Sequence, residues 1–432
     1  MSPTFASLSF YNYRVFALGA LVSNTGTWMG RVAQDWLVLT ELAPNTSVSP
    51  SVALGIVTGL QFAPLALFAP LGGMISDRFA KRRILFVTQS ALALTSLLTG
   101  VLVVTGSVQL WHIYLLAFVQ GAATALDNPA RQTFVSEMVP HNSLSNAVGL
   151  NSASFNGARL IGPGVAGLVI GAFGTGPAFF VNTLSFVAVL LALSRMRPGE
   201  LNPAPRQRGK GQIREGIRYV RGRPDLVLIM ALVFVLGTFG MNFQMTTALM
   251  ATAVFGKGAS AYGLLGSIMA MGSLAAALLS ARRQNPRIRI LVVALGAFVV
   301  ASAAAALAPS YIWFAILLIP VGLSALTVIT TATAMVQLSV APAMRGRVMA
   351  LYMAVFMGGT PLGSPMIGWI GSAWGPRWTI LVGSIANGLA VIAATVYLVR
   401  SENVRVTFRR QDRPRLSVTR RESIEPVPDL AR

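Results

Sequence analysis

Twelve long apolar runs, separated by short polar segments, constrain the fold of this chain more than any other feature. Each run has about 20 or more largely apolar residues, the length that crosses the hydrocarbon core of a bilayer. The runs cover residues 14–40, 51–74, 84–105, 109–128, 146–172, 176–195, 226–252, 261–281, 288–308, 311–335, 346–372 and 376–399. Only 11% of the residues are charged, whereas soluble globular chains have about 25%. The sequence therefore predicts an all-α membrane protein with twelve transmembrane helices, and it excludes an ordinary soluble enzyme.

The basic residues follow an alternating pattern along these runs. Of the 34 Lys and Arg residues, 30 lie in the two termini and in every second loop, and the remaining loops hold only Lys257 and Arg377. Arg31 and Arg159 lie inside apolar runs. Because cytoplasmic loops are enriched in Lys and Arg, the pattern predicts that both termini are cytoplasmic. We expect the net charge of +21 to act in topology beside anionic lipid, not in nucleic-acid binding.

Composition and an internal repeat divide the chain into segments. We expect one six-helix bundle at 1–195, a basic cytoplasmic linker at 196–225, a second bundle at 226–400 and a disordered cytoplasmic tail at 401–432. An offset of 201 residues aligns Gly121 with Gly322, Gly162 with Gly363, Gly167 with Gly368, and Gly174 with Gly375. The repeat predicts two six-helix pseudo-repeats, an arrangement by which many secondary transporters build alternating access.

The segment after the second run resembles a known loop motif. Residues 72–83 read GGMISDRFAKRR, which is similar to the G-x-L-a-D-R-x-G-R-R motif of the major facilitator superfamily, with Ile75 for Leu and Ala80 for the second Gly. The resemblance implies a gate at the cytoplasmic ends of two helical bundles. Asp127 and Arg131, at the inner end of the fourth run, are spaced i and i+4, and we expect them to pair with this loop. Glu137, further on, is expected to be solvated. The gate residues are then Gly73, Asp77, Arg78, Lys81, Arg82, Asp127 and Arg131.

The fifth run resembles the antiporter motif of the same superfamily, G-x8-G-x3-G-P-x2-G-G. The matching residues are Gly149, Gly162, Pro163 and Gly167, while Ala158 and Ala166 replace two glycines. Small residues at this spacing allow close helix contact, and the resemblance implies export. Residues 31–37, 61–64, 127–132 and 156–163 resemble the enterobactin-exporter-like and macrolide-efflux-like branch, which implies a bacterial cell membrane. Ala117 departs from the family, because many proton-coupled relatives have arginine there.

Charged side chains inside the apolar runs are the candidate functional residues, because ionisable groups at membrane depth are costly. Arg31 and Asp35 are spaced i and i+4 and are expected to pair. No acidic residue occurs between Asp225 and Glu402, so we expect Asp35, with Arg31, to couple transport to protons. The predicted substrate cavity includes Asn24, Gln34, Asn156, Arg159, Asn242 and Gln244.

These observations favour a secondary active transporter that exports small amphipathic compounds, drug-like or siderophore-like and neutral or anionic. We expect it to be a proton antiporter and a monomer in the bilayer. The sequence has no Gly-x4-Gly-Lys-Ser/Thr loop, no cysteine and no catalytic constellation. We therefore expect no enzymatic activity, no cofactor and no metal site. Three alternatives stay open: a uniporter or importer of the same fold, a lysolipid flippase, and a non-transporting membrane scaffold.

Overall fold

Six long helices form the first half of the chain in a computed structural model, which describes residues 3–202, 212–281, 286–401, 405–409 and 415–419. These helices are α1 Tyr11–Leu37, α2 Pro50–Arg78, α3 Lys81–Val104, α4 Leu110–Met138, α5 Leu144–Phe173 and α6 Thr175–Arg195. A π-helical turn, Val38–Leu42, continues α1. Short 3-10 helices occur at Pro3–Ser9, Ala43–Asn45, His141–Ser143 and Pro198–Glu200.

The second half repeats this arrangement with one interrupted helix. Its helices are α7 Gln212–Arg221, α8 Pro224–Val235, α9 Phe243–Leu249, α10 Ala259–Ala281, α11 Ile288–Ala306, α12 Tyr311–Ser339, α13 Pro342–Trp374 and α14 Pro376–Ser401. The π-helical turns Leu236–Gly240 and Met250–Val254 join α8 and α9 into one rod with a bend at Met241 and Asn242. Helix α7 lies in the segment 196–225, which the sequence predicts to be the linker.

Within the described residues, nine helical stretches are long and apolar enough to cross a membrane. Three further rods, α1, α4 and α13, are 27, 29 and 33 residues long, which is sufficient to span the hydrocarbon core. Two of them carry the intramembrane charges Arg31, Asp35 and Asp127. The predicted all-α membrane fold is therefore confirmed.

The glycines of the internal repeat occupy equivalent places in the two halves. Gly121 packs on α2 and Gly322 on α10, while Gly162 packs on α1 and Gly363 on the turn after α8. Gly174 and Gly375 end α5 and α13 at φ of 83° and 96°, which only glycine adopts without strain. The two halves are therefore pseudo-repeats at the level of individual helix contacts.

The two halves meet through α2 against α13 and α5 against α10. A Cβ on Gly55 would lie 3.2 Å from the Cα atom of Gly368, and one on Gly167 would lie 2.9 Å from the Cα of Ser260. These contacts lie at the end of the molecule that carries the loops at 43–49, 174, 255–258 and 375, which we call the closed end. Because glycine has no side chain, helices from opposite halves approach within van der Waals contact there.

The opposite end, which carries the loops at 79–80, 139–143 and 340–341, is more open. A Cβ on Gly149 or Gly157 of α5, or on Gly346 of α13, would meet nothing within 4 Å. Along both helices, glycines near this end border open space, and glycines nearer the closed end are tightly packed. We call this the open end.

Part of the tail lies within the described residues, and the disorder expected for 401–432 stays a prediction. Two antiparallel strands, β1 Arg405–Arg409 and β2 Arg415–Thr419, pair with Phe408 opposite Leu416. The rest of the tail lies outside the described residues.

Candidate functional site

A hydrogen bond joins the two halves of the chain at the closed end. The Tyr262 hydroxyl on α10 donates to Oδ2 of Asp35 on α1 at 2.9 Å, and the main-chain carbonyl oxygen of Gln244 lies 3.2 Å from the same hydroxyl. Trp36 stacks on Tyr262 with ring centroids 6.3 Å apart. Asp35 and Tyr262 are only 6% and 2% exposed. The predicted coupling carboxyl group, which belongs to the first half, is therefore buried between the halves and hydrogen-bonded by Tyr262 of the second half.

The predicted pair of Arg31 with Asp35 does not form. Among the ion pairs between described residues, none joins these side chains within 4.0 Å. The guanidinium carbon of Arg31 instead lies 5.0 Å from the ring centroid of Trp28. Helical side chains lean towards the N-terminus of their helix, so Arg31 reaches Trp28 three residues before it, not Asp35 four residues after it.

A second arginine contacts the same indole ring. The guanidinium carbon of Arg159 on α5 lies 5.5 Å from the Trp28 centroid, and Phe62 lies 5.8 Å from Arg31 on the α2 side. Phe155 meets Trp28 edge to face at 6.0 Å between centroids. Trp28, Arg31 and Arg159, which we call the arginine–tryptophan cluster, thus bring two predicted site residues together.

The remaining predicted cavity residues of the first half have different surroundings. Gln34 is buried in α1, and Asn24 is half-buried one turn before Trp28. The Asn156 amide donates to the main-chain carbonyl of Ser152 in its own helix at 2.9 Å. Asn156 therefore has an internal hydrogen bond that a substrate would have to replace.

Asn242 lies at the bend between α8 and α9. Its amide donates to the carbonyl of Thr238 at 2.8 Å, while Oδ1 has no hydrogen-bond partner among the described residues. It borders a small cavity. Second-half residues alone bound this cavity, including Phe298 and Ser384 from α11 and α14. The structure therefore places Asn242 inside the second bundle and Gln244 beside the interface.

Asp127 and Arg131 pair with each other, with Nε of Arg131 2.9 Å from Oδ2 of Asp127. The other partners of Asp127 come from α3, not from the loop that the sequence indicated. The Thr88 hydroxyl and the Gln89 amide each donate to Oδ1 at 2.7 Å. Asp127 is 4% exposed, and this network fixes α3 against α4 inside the first half.

Glu137 is buried, which corrects the expectation that it is solvated. Nζ of Lys81 lies 2.6 Å from Oε1 of Glu137, and the two side chains are 11% and 7% exposed. Arg82 donates through Nε to the carbonyl of Leu193 at 2.8 Å, near the end of α6. Lys81 and Arg82 therefore tie the start of α3 to α4 and α6 within one half.

The predicted gate loop is mostly helix. Helix α2 continues through Arg78, and only Phe79 and Ala80 separate it from α3. Arg78 is exposed and stacks beside Phe79 at 5.9 Å. Gly73 and Asp77 lie in the last turns of α2, but their side-chain environments lie outside the described residues.

The antiporter-motif residues follow the line of closest helix contact. Gly149 borders open space, whereas a Cβ on Gly162 would lie 2.6 Å from Cβ of Trp28. Gly167 packs on α10, and its carbonyl accepts from the Ser260 hydroxyl at 3.0 Å. The Pro163 ring lies against Gly266 of α10. The motif therefore joins α5 to α1 inside one half and to α10 across the interface.

Sequence reasoning missed Tyr262 and Trp28, which organise the site. Tyr262 begins an apolar run without any charged neighbour, so no polar pattern marks it. Trp28 lies three residues before Arg31 and on the same helix face, a spacing at which an arginine can stack on an aromatic ring. That spacing was a usable signal.

Parts of the chain are similar in sequence to known transporters. The chain is 29% identical over 170 residues to a staphyloferrin A transporter of Staphylococcus aureus, covering 39% of this chain and 41% of that protein. It is 20% identical over 165 residues to macrolide efflux protein A of Streptococcus pyogenes, covering 38% and 41%. The matched part of the chain thus spans about two-fifths of the length of each of these curated relatives.

The fold matches that of solved transporters over nearly the whole chain. A bacterial homologue of the human lysosomal transporter Spinster, in an inward-facing and unoccupied conformation, superposes with a TM-score of 0.71 at 16% identity. The match covers 92% of this chain and 98% of the other. The profile of a family described as transmembrane secretion effector, MFS_3, matches residues 2–420. This multi-pass membrane protein therefore belongs to the transmembrane secretion effector family, a family of major facilitator superfamily (MFS) transporters.

Proposed function

We propose that the protein is a secondary active transporter that exports small amphipathic compounds, neutral or anionic, in exchange for protons. The observation that carries the proposal is the hydrogen bond between Asp35 and Tyr262. A carboxyl group that can gain and lose a proton bridges the two halves at the end where they close. In alternating access the halves separate and rejoin at each end in turn, so this contact must break in every cycle.

The charge state of Asp35 couples the proton to that movement. A hydroxyl that donates to a carboxylate makes a charge-assisted bond, roughly twice as strong as a bond between neutral groups. Ionised Asp35 therefore favours closure at this end. When the closed end opens, Asp35 takes up a proton from outside, and the neutral carboxyl group holds Tyr262 less strongly. After the closed end reforms, the proton leaves towards the open end.

The direction of transport rests on charge and on relatives. The open end carries nearly all basic loops, so the positive-inside rule assigns it to the cytoplasm. The structure would then be the state that accepts substrate from inside the cell. Macrolide efflux protein A is named for efflux, and the antiporter-motif residues Pro163 and Gly167 lie in the contact between α5 and α10.

The test is transport into inside-out membrane vesicles, with a compound panel and with or without an imposed pH gradient. Wild-type protein should accumulate a compound only when the vesicle interior is acidic. Asp35→Asn keeps a polar side chain of similar size but cannot ionise, so accumulation should no longer depend on the gradient. Glu41→Gln is the matched control, because Glu41 bonds Thr175 within the first half.

The outcomes separate the alternatives. Equilibration without dependence on pH in the wild type indicates a uniporter, and accumulation in right-side-out vesicles indicates an importer. Movement of labelled lysolipid between leaflets, in place of soluble compounds, indicates a flippase. A protein that moves none of these is a scaffold. Unchanged gradient dependence in Asp35→Asn overturns the role of Asp35.

A further inference from the structure

The arginine–tryptophan cluster places two positive charges on one indole ring. The guanidinium carbons of Arg31 and Arg159 lie 5.0 Å and 5.5 Å from the Trp28 centroid, so their separation cannot exceed the sum of those distances. One arginine comes from α1 and the other from α5. Like charges at this range repel strongly in a medium of low dielectric constant.

No described carboxylate forms a salt bridge with either arginine of this pair. The ion pairs between described residues include neither arginine, and no hydrogen bond within the described part of the chain has either guanidinium as its donor. Asp35, the acidic group nearest in the α1 sequence, accepts from Tyr262. Cation–π contact offsets only a part of the cost of a charged group at membrane depth, about 0.5–2 kcal/mol. The guanidinium N–H groups are therefore available for an anionic partner.

The cluster lies where α5 changes from open space to tight packing. Gly157, two residues before Arg159, borders open space, whereas Gly162, three residues after it, is packed against Trp28. Arg31, Trp28 and Arg159 are all half-buried. A compound that enters from the open end can therefore reach both arginines without any separation of the closed end.

We propose that Arg31 and Arg159 bind a carboxylate group of the transported compound, whose apolar part packs beside Trp28, Phe62 and Phe155. This deepens the proposed function, on which it rests for the claim that the bound compound is cargo. Two guanidinium groups offer planar forks that match carboxylate geometry. The surrounding aromatic rings suit an aromatic or other apolar body, and two neighbouring positive charges disfavour an amine.

The test measures binding, without any gradient, to purified protein in nanodiscs of phosphatidylcholine only. The probes are matched pairs of aromatic acids and their primary amides: 1-naphthoate with 1-naphthamide, and 9-anthracenecarboxylate with its amide. We expect at least one acid to bind about tenfold or more tightly than its amide, because charge-assisted hydrogen bonds contribute about 1.5–3 kcal/mol. Arg159→Gln and Arg31→Gln should each weaken acid binding about tenfold and change amide binding less than threefold. Arg345→Gln, an exposed arginine at the open end, is the control and should leave both affinities unchanged.

Retained amide binding shows that a variant is folded. The proposal is overturned if no acid binds better than its amide, or if both Gln variants keep the wild-type preference. It is also overturned if added phosphatidylglycerol weakens acid binding in proportion to its fraction, since the arginines would then hold a lipid headgroup. An acid preference that survives together with transport independent of the pH gradient leaves this site intact and removes the proton-antiport proposal. Gradient-dependent export without acid preference removes this site and leaves the proton-antiport proposal intact.

Discussion

The order of two residues within a helix decides which of the two i, i+4 pairs forms. Asp127 precedes Arg131, and they are bonded at 2.9 Å; Arg31 precedes Asp35, and Arg31 stacks on Trp28 instead. Side chains lean towards the helix N-terminus, so a long basic side chain reaches back to an acid more easily than forward. The spacing was readable from the sequence, but the direction of the side chain was the deciding factor.

Removal of the Tyr262 hydroxyl should loosen the closed end. Tyr262→Phe keeps the ring against Trp36 but deletes the donor to Asp35, at a cost of about 1–3 kcal/mol. The chain has no cysteine, so Ser51→Cys, at the contact of α2 with Gly368, can report opening. We expect labelling of this cysteine by a membrane-impermeant maleimide to become several-fold faster in Tyr262→Phe.

The control for this experiment is Tyr311→Phe. The Tyr311 hydroxyl donates to the carbonyl of Ala261 at 2.8 Å, inside the second half. Its loss should leave the labelling rate of Ser51→Cys unchanged. Equal labelling in the Tyr262 and Tyr311 variants would mean that the cross-half hydrogen bond does not hold the closed end.

At the scale of helices, the apolar runs predicted every long rod, but not where the rods end. The fourth run was placed at 109–128, whereas α4 continues to Met138. Its last ten residues include Arg131 and Glu137, whose charges lower the hydropathy although the backbone stays helical. Hydropathy marks the part of a helix that lies in hydrocarbon, so it could not show that Glu137 is buried against Lys81.

Close helix contact across the interface should depend on Gly263. A Cβ at this position would lie 3.0 Å from the main-chain nitrogen and Cα of Gly167, so α5 and α10 would have to separate. Gly263→Ala should therefore destabilise the closed end by about 1–3 kcal/mol and accelerate labelling of Ser51→Cys. Gly157→Ala, on the open side of α5, meets nothing within 4 Å and should have no effect on labelling. If Gly263→Ala, like Gly157→Ala, leaves the labelling rate unchanged, the packing of this interface is contradicted.

The Lys81–Glu137 pair should stabilise the first bundle. Lys81→Met leaves a buried carboxylate without its partner, a change that costs about 3–5 kcal/mol, so the thermal unfolding midpoint in detergent should fall clearly. Lys81→Met with Glu137→Leu should recover most of that loss. Arg197→Met, which breaks an exposed pair with Glu200, serves as the control and should change the midpoint little. If Lys81→Met and Arg197→Met lowered the thermal unfolding midpoint equally, Glu137 would be solvated.

At the scale of the whole molecule, the repeat was visible in the sequence because glycines occur at equivalent helix contacts in the two halves. Gly167 and Gly368, 201 residues apart, each contact a helix of the other half. The sequence could not show which end the halves close, since that depends on many side chains meeting across the interface. Tyr262 and Asp35 are 227 residues apart, and no local pattern connects them.

The basic-residue pattern predicts the orientation of this structure in the membrane. Ser47→Cys, in the loop at the closed end, should react with a membrane-impermeant maleimide in intact cells. Asn142→Cys, in the loop between α4 and α5, should react only after the membrane is permeabilised. The opposite pattern would place the open end outside the cell and reverse the proposed direction of transport.

The most direct measurement of the central claim is the proton flux that accompanies substrate movement in sealed proteoliposomes of the purified protein. The substrate is the compound from the vesicle panel that is exported fastest, and a trapped pH-sensitive dye reports protons. Wild-type protein and Glu41→Gln should show proton movement opposite to the substrate and proportional to it. Asp35→Asn should let substrate run down its gradient with no accompanying proton movement. Proton exchange at the wild-type ratio in Asp35→Asn would contradict the account.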